Sequence, residues 1–384
     1  MNNKITNKEK YMACIILHAL GDTIGYNNSK WEFMKNTISY EGKVMNKLFE
    51  YINYGGVKYV PQKNWNISDD TIMHIGTIKN LLKQNKNIKE YGKNLKEIYI
   101  NIFDTYFNNK ENINKRMPGT GTINSLIKLK EGIEWDNIPY DFNLGGSGAA
   151  MRTSCIGLVY NGIENRKKLI KYSIETSRIL HNSPIGYLGG LVASLFTAYA
   201  IEGIEINKWG YLLMELFEKK IINKYIEESG RDIQEYNNDS HIFIAKWNRY
   251  LNDKFDDNGN IIKRRSDINL LHRTNYYINN FAYINDKNNK NKKPSTTFVG
   301  GSGYDSVIIA YDCLLDAKNK WEKLLIYSML HAGDTDTTGC IAASWYGALY
   351  GFGDVPRNRI EIIENINEIK DLSIKLYNKY NIKN

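Results

Sequence analysis

Gly186-Tyr-Leu-Gly-Gly-Leu-Val-Ala-Ser-Leu-Phe-Thr-Ala-Tyr-Ala-Ile201 is apolar, carries no charge and is rich in Gly, Ala and Ser. A run of that length and composition predicts a helix buried on every side. Ala149–Tyr160 is likewise apolar and rich in Gly, Ala and Ser, and predicts a second one. Working outward, Tyr11–Leu20 is apolar, and Ile72, Ile75, Ile78, Leu81 and Leu82 recur at helical spacing. Trp209–Ile222 and Ile360–Tyr380 read as amphipathic outer helices. Few runs alternate with a period of two, so strands are minor. The expected architecture is all-α, a helical bundle forming a single domain over residues 1–384. Asn252–Lys293, dense in Asn, Asp and Lys, is expected to be a variable loop or insertion.

The composition narrows the class. Apolar residues at 42% and charged residues at 24% are the balance of a globular protein, and 6 Pro with 30 Gly exclude a fibrous repeat. No stretch approaches the roughly 20 apolar residues of a membrane span. The polar opening Met1–Lys10 lacks the apolar core of an export signal, so an intracellular, cytoplasmic protein is expected. Cys14, Cys155, Cys313 and Cys340 lie far apart among apolar or small residues, the pattern of reduced, buried thiols. The net charge of +9 collects in stretches such as Lys79–Lys96 and Lys287–Lys293, mixed with Asn. No nucleic-acid-binding module accompanies it, so the charge reads as solvated surface with no nucleic-acid partner. A monomer is expected.

Two acidic clusters stand out, Ser68-Asp69-Asp70-Thr71 and Gly333-Asp334-Thr335-Asp336-Thr337-Thr338-Gly339, each leading into an apolar helix. Helix capping accounts for one side chain in each. Four carboxylates with several hydroxyls exceed what two caps need. Carboxylates crowded near a core repel unless cations neutralise them, and hard oxygen ligands suit Mg²⁺. Gly145-Gly146-Ser147-Gly148-Ala149-Ala150 before a helix at Met151, and Gly300-Gly301-Ser302-Gly303 before Val307–Leu315, are either phosphate-binding backbone or close helix contacts. Asp22, in Gly21–Gly25, is either structural or a residue that orders the ligands. His18, His74 and His331 read as core histidines, whereas His181, before Asn182-Ser183-Pro184, is placed to face a pocket. No Ser/His/Asp or Cys/His set points to a nucleophilic triad.

Taken together, Ser68–Thr71, GGSGAAMR (Gly145–Arg152) and HAGDTDTTGCIAASWYGALYG (His331–Gly351) resemble the ADP-ribosylglycohydrolase family. Gly21–Phe33, Gly186–Ala200 and Gly300–Leu315 extend the resemblance, which runs from about Tyr11 to Gly353. The KWEF segment (Lys30–Phe33) and the tyrosine-rich last helix point to its ADP-ribosylarginine hydrolase branch. The resemblance implies an all-α fold with two Mg²⁺ ions at the bottom of a cleft. It implies Ser68, Asp69, Asp70, Asp334, Asp336 and Thr337 as metal ligands, with Asp69 and Asp70 catalytic. It implies Gly145, Gly146, Ser147, Gly148, Ala149, Gly300, Gly301, Ser302 and Gly303 as the loops that hold ADP-ribose. Glu32, Tyr106, His181 and Asp305 fall where pocket residues are expected. The second cluster reads DTDT where the arginine branch tends to DSDS, and Pro294–Val299 is less similar.

The implied activity is Mg²⁺-dependent hydrolysis of the N-glycosidic bond of ADP-ribosylated arginine, with ADP-ribosylated proteins as substrates and ADP-ribose as product. The alternatives are another linkage, such as serine O-linked ADP-ribose, or an ADP-ribose binding module without catalysis. Asp334-Thr-Asp336-Thr-Thr338 also fits the DxDxT pattern of haloacid-dehalogenase phosphatases. Too little chain follows Thr338, and it reads as helix rather than as an α/β core.

Overall fold

The computed structural model describes residues 5–33, 39–264, 267, 269–282 and 299–381. Among these the chain is helical throughout, and the only β pairing is two isolated bridges. The all-α expectation is met.

The Pro184–Glu202 helix is central. Pro184 opens it at a position where a missing N–H costs nothing, and Gly203 ends it in the left-handed region at φ 74°. By length and composition alone it is long and apolar enough to cross a membrane, which corrects the expectation that no stretch approaches that limit. Its apolar span is instead 94% buried inside the protein. Phe196 sits among Trp345, Tyr311 and Trp247 with ring centroids 5.2, 5.1 and 5.6 Å away, and the Trp345 indole donates to the Ala193 carbonyl at 3.0 Å. Such aromatic contacts add to the area burial that makes this the core.

The Asn7–Tyr26 and Thr335–Tyr350 helices pack in close contact along their lengths. A Cβ at Gly25 would lie 2.0 Å from the Thr335 carbonyl oxygen, and one at Gly21 would lie 2.5 Å from that of Gly339. Only glycine permits that approach, which brings the acidic Asp334–Thr338 turn against the end of the first helix. The predicted helix over 149–160 is instead broken. A 3₁₀ turn covers Ser147–Arg152, and a short helix follows at Ser154–Val159.

Residues 252–293 are not simply a loop. The Ile233–Lys254 helix runs into the segment, and Leu270–Phe281 forms a helix. The Lys254 ammonium lies 3.0 Å from Asp312 and 2.8 Å from Asp316, and Arg264 lies 2.6 Å from Asp312. Arg273 pairs with both aspartates. A buried ion network, invisible to a hydrophobic-pattern reading, docks this helix on Asp305–Ala317. Residues 283–293, and 294–298 of the less similar Pro294–Val299 stretch, lie outside the described residues. The four cysteines are buried and free, as expected.

Candidate active site

The Asp69–Leu82 helix begins at Ser68, whose hydroxyl oxygen accepts the Asp70 N–H at 3.1 Å. Ser68 is therefore the cap, and Asp69 and Asp70 are surplus to capping. At the second cluster Asp334 occupies the cap position but makes no side-chain cap bond. Its carboxylate accepts the Ser147 hydroxyl at 3.1 Å. The capping explanation covers Ser68 alone, so the remaining acids call for another role.

Asp22 supports this arrangement from behind. It is fully buried, and its carboxylate accepts the Ser68 N–H at 3.1 Å, the Thr71 N–H at 3.2 Å and the Thr71 hydroxyl. Asp22 thus orders the start of the acidic helix, the second of the two roles its sequence left open. The Cys340 sulfur lies 3.4 Å from an Asp70 carboxylate oxygen and 3.2 Å from the Thr337 carbonyl, its single S–H shared between the two acceptors. One thiol therefore ties the two acidic clusters together across more than half the chain.

Glu32 joins them. Buried Trp31 donates its indole N–H to Glu50 at 2.6 Å and packs edge-on to Trp65 at 5.4 Å, anchoring the turn. The Phe33 N–H then bonds the Gly333 carbonyl at 3.1 Å, with Phe33 held at φ 51°, a strained value for a bulky residue. This turn presents Glu32 so that carboxylate oxygens of Glu32, Asp334 and Asp336 lie within 4.8 Å of one another. Glu32 was expected in the substrate pocket; the fold sets it beside the expected metal ligands.

Burial drives the electrostatics here. It raises the Asp334 carboxyl to about 7 and Asp22 to about 6. Asp69, Asp70 and Asp336 are pushed well above the carboxylate range by burial first and by the neighbouring carboxylates second, Asp336 acting on Asp69 and Asp70 and Asp334 on Asp336. The neighbouring Lys47 ammonium donates to the His331 carbonyl at 2.6 Å and to the Thr335 hydroxyl at 3.4 Å. Burial lowers Lys47 to about 7. A second acidic trio, Asp267, Asp312 and Asp316, is just as tight but behaves oppositely. Although burial alone would raise Asp312, Arg264, Lys254 and Arg273 hold it well below the carboxylate range. The Asp312 trio is satisfied by side-chain cations. Among the described residues no side-chain cation forms an ion pair with Asp334 or Asp336, and these hard oxygen donors fit a divalent cation. Ser68, Asp69, Asp70, Asp334, Asp336 and Thr337 are the residues that would hold it, with Glu32 beside them.

The two glycine loops form a single surface over this centre. Gly146 and Ser302 make an antiparallel bridge, with Ser147 N–H to Gly301 O and Gly303 N–H to Gly145 O, both 3.0 Å. A Cβ on Gly301 would stand 3.6 Å from an Asp334 carboxylate oxygen. A Cβ on Gly148 would stand 2.6 Å from the His181 imidazole. His181 backs this loop, accepting from Arg152 at Nδ1 (3.3 Å). Burial and then the Arg152 charge lower its pKa well below normal, so its ring is a neutral support. Asp305 is fully buried and turned into its own loop, accepting the Gly300 N–H at 2.9 Å and the Ser302 N–H at 2.7 Å. It shapes the loop rather than facing the pocket. Tyr106 ends the Ile88–Tyr106 helix under Arg116, 5.8 Å from ring centroid to guanidinium carbon, and Arg116 bonds the Ile67 carbonyl at 2.6 Å. It stands one contact removed from the acidic centre. His18, His74 and His331 are core histidines, bonded to Met151 O, Ser154 Oγ and Thr338 Oγ1. Lys47 escaped sequence reasoning, because no pattern marks it, and Cys340 read only as a buried thiol, because its contact with Asp70 is made by the fold.

A family model described as ADP-ribosylglycohydrolase matches residues 3–383. ADP-ribosylhydrolase ARH1 of Dictyostelium discoideum is 35% identical over 98% of this chain and 97% of its own. A protein of Acanthamoeba polyphaga mimivirus, named as a candidate ADP-ribosyl glycohydrolase, is 35% identical over 92% of this chain and 67% of its own. A solved structure, titled an ADP-ribosylglycohydrolase-related protein complex, superposes with a TM-score of 0.54 at 15% identity. It covers 97% of this chain and 98% of its own, a likeness of fold alone. With its acidic motifs drawn together beneath two paired glycine loops, and a family match along nearly its whole length, the chain belongs to the ADP-ribosylglycohydrolase family.

Proposed function

We propose that this hydrolase cleaves the N-glycosidic bond between ADP-ribose and an arginine side chain, with Mg²⁺ as its metal. The observation that carries the reading is the buried acidic centre, whose Asp69, Asp70, Asp334 and Asp336 make no ion pair among the described residues, roofed by the paired Gly145–Ala150 and Gly300–Gly303 backbones. Bound Mg²⁺ would supply positive charge to balance these carboxylates and to polarise a water. Asp69 or Asp70 accepts the proton of the attacking water as general base. The glycine loops offer close backbone approach and N–H groups to the diphosphate of ADP-ribose. His181 and Asp305 hold those loops rigid from behind. The depth of the centre, where Asp69, Asp70 and Asp336 are each at most 5% exposed, keeps out bulk solvent beyond the reacting water.

The choice of arginine rests on charge and on the Lys30–Phe33 resemblance. A guanidinium brings its positive charge to the cleft, where Glu32, the partly exposed member of the acidic trio, can meet it. A serine-linked ADP-ribose offers no such charge at the departing side. Arginine- and serine-linked ADP-ribosylated proteins, each incubated with Mg²⁺ or with EDTA, test the reading through ADP-ribose release. Release from the arginine conjugate alone, abolished by EDTA and restored by Mg²⁺, is the expected result. Release from the serine conjugate alone refutes the linkage. Tight ADP-ribose binding with no release from either conjugate makes the protein a binding module.

A further inference from the structure

The far end of the central helix borders a second recess, remote from the acidic centre. Gly189 of that helix lies against the Gly300–Gly303 loop, whereas Tyr199, roughly 15 Å further along the axis, lines a groove of about 1120 Å³. The groove is walled by the Arg166–Arg178, Trp209–Glu218 and Ile221–Ser229 helices. Trp135, Ile170, Ile204, Leu212, Leu216 and Ile221 give it an apolar lining. Ile163, which also lines it, is 81% exposed, an unusual position for a large aliphatic side chain.

The charges around this lining are unbalanced. Glu175 is paired with Arg178 and Arg231, Glu202 with Arg166, and Glu215 with Lys219. That leaves Lys89, Lys167, Lys168, Lys171, Lys220 and Lys224 facing only Asp136 and Glu228, none of them in an ion pair among the described residues. Arg166, with its side chain only 9% exposed, keeps Nη1 without a hydrogen-bond partner, and Arg231 likewise leaves Nη2 unbonded. Free donors beside an apolar lining call for a ligand that is both anionic and apolar.

We propose that this groove docks an acidic amphipathic helix of a partner protein, its apolar face against the lining and its carboxylates toward the lysines. The unpaired lysines come from both walls, 167–171 and 220–224. A single-headed amphiphile would use one of them; a helix with carboxylates along its flanks uses both rows. The volume exceeds the roughly 300–1,000 Å³ typical of small-molecule pockets. A second copy of this chain, at net charge +9, is electrostatically unsuited to the same face. A partner held there leaves the acidic cleft open, so the proposal does not depend on which linkage is cleaved.

The probe is a fluorescein-labelled synthetic helix of about 16 residues with Leu at i, i+3, i+4 and i+7 and Glu elsewhere, titrated with the full chain by anisotropy. Binding should weaken with added salt and fall on the order of ten-fold in a Lys167→Glu/Lys168→Glu/Lys171→Glu variant. It should also fall in Ile163→Asp, with the melting temperature of both variants unchanged, since these positions are exposed or half-exposed. A peptide of the same composition with Leu and Glu scrambled should bind about ten-fold more weakly or worse. Equal binding of the scrambled peptide, an unaffected triple-lysine variant, or no binding up to about 1 mM overturns the proposal. So does tighter binding of an oligouridylate or of phosphatidylserine vesicles through the same lysines.

Discussion

Replacing Asp22 with alanine is the sharpest test of how the acidic helix is held. Asp22 receives two backbone N–H groups, from Ser68 and Thr71, and the Thr71 hydroxyl, all in a fully buried setting. Its removal leaves two backbone donors buried without acceptors, at about 1–3 kcal/mol each. Against this, Asp22 repels Asp69, Asp70 and Asp336, so the substitution also relieves like-charge strain. A net loss of about 3 kcal/mol is expected. Unfolding entropy of about 2.1 cal/mol/K per residue gives roughly 0.8 kcal/mol/K for a chain of 384 residues. The melting temperature should therefore fall by about 4 °C in EDTA. In Mg²⁺ the fall should be larger, because bound metal already quenches the repulsion and the variant forfeits that relief. Asp22→Asn retains one acceptor oxygen and should fall between the two. Differential scanning calorimetry in both conditions reads this directly. An unchanged or higher melting temperature in Mg²⁺ would show that Asp22 does not organise Ser68–Thr71.

Asp69→Ala and Asp70→Ala should each abolish ADP-ribose release while leaving the EDTA melting temperature equal or higher, since each deletes one of several repelling carboxylates; retained turnover would place the general base elsewhere. Mg²⁺ should raise the wild-type melting temperature, because an ion that binds only the folded chain stabilises it by mass action; no shift at millimolar Mg²⁺ would remove the metal centre. Gly148→Val should weaken ADP-ribose binding by about ten-fold or more while preserving the Mg²⁺ shift, because its Cβ would press on the buried His181 ring; isothermal titration with free ADP-ribose decides it. Asp312→Asn should cost about 1.5–3 kcal/mol at neutral pH by removing the carboxylate shared by Lys254, Arg264 and Arg273, each of which keeps a second acidic partner at Asp316 or Asp267. The folded-state pKa of Asp312 is depressed, so its contribution is complete above its ordinary value of about 3.9 and is lost as pH falls further. The gap between wild type and variant should therefore shrink below about pH 4 in acid-titration melts.

The periodicity of apolar residues and the small-residue content of Gly186–Ile201 were enough to identify an all-α chain, because a helix is set by contacts three and four residues apart. The acidic motifs and glycine loops were legible for a similar reason: each is a short, contiguous run whose composition is improbable for surface or core. What they do was not local. Glu32 reaches Asp334 only because Trp31 is anchored and the Phe33 N–H bonds Gly333, and Asp305 turns away from the cleft only because its own loop offers it N–H donors. The pairing of Gly146 with Ser302 joins segments that no sequence pattern links. The clearest division lies between the two acidic trios. Asp334 and Asp312 each sit among carboxylates within 4.8 Å, yet one has its pKa raised and the other lowered. Lys254, Arg264 and Arg273 arrive beside Asp312 from a segment that reads as a loop, while Lys47, close to Asp334, donates to a carbonyl and a hydroxyl and makes no ion pair with it. A carboxylate's identity is written in the chain, but its charge balance depends on which cations the fold delivers within a few ångströms, and that is decided only in three dimensions.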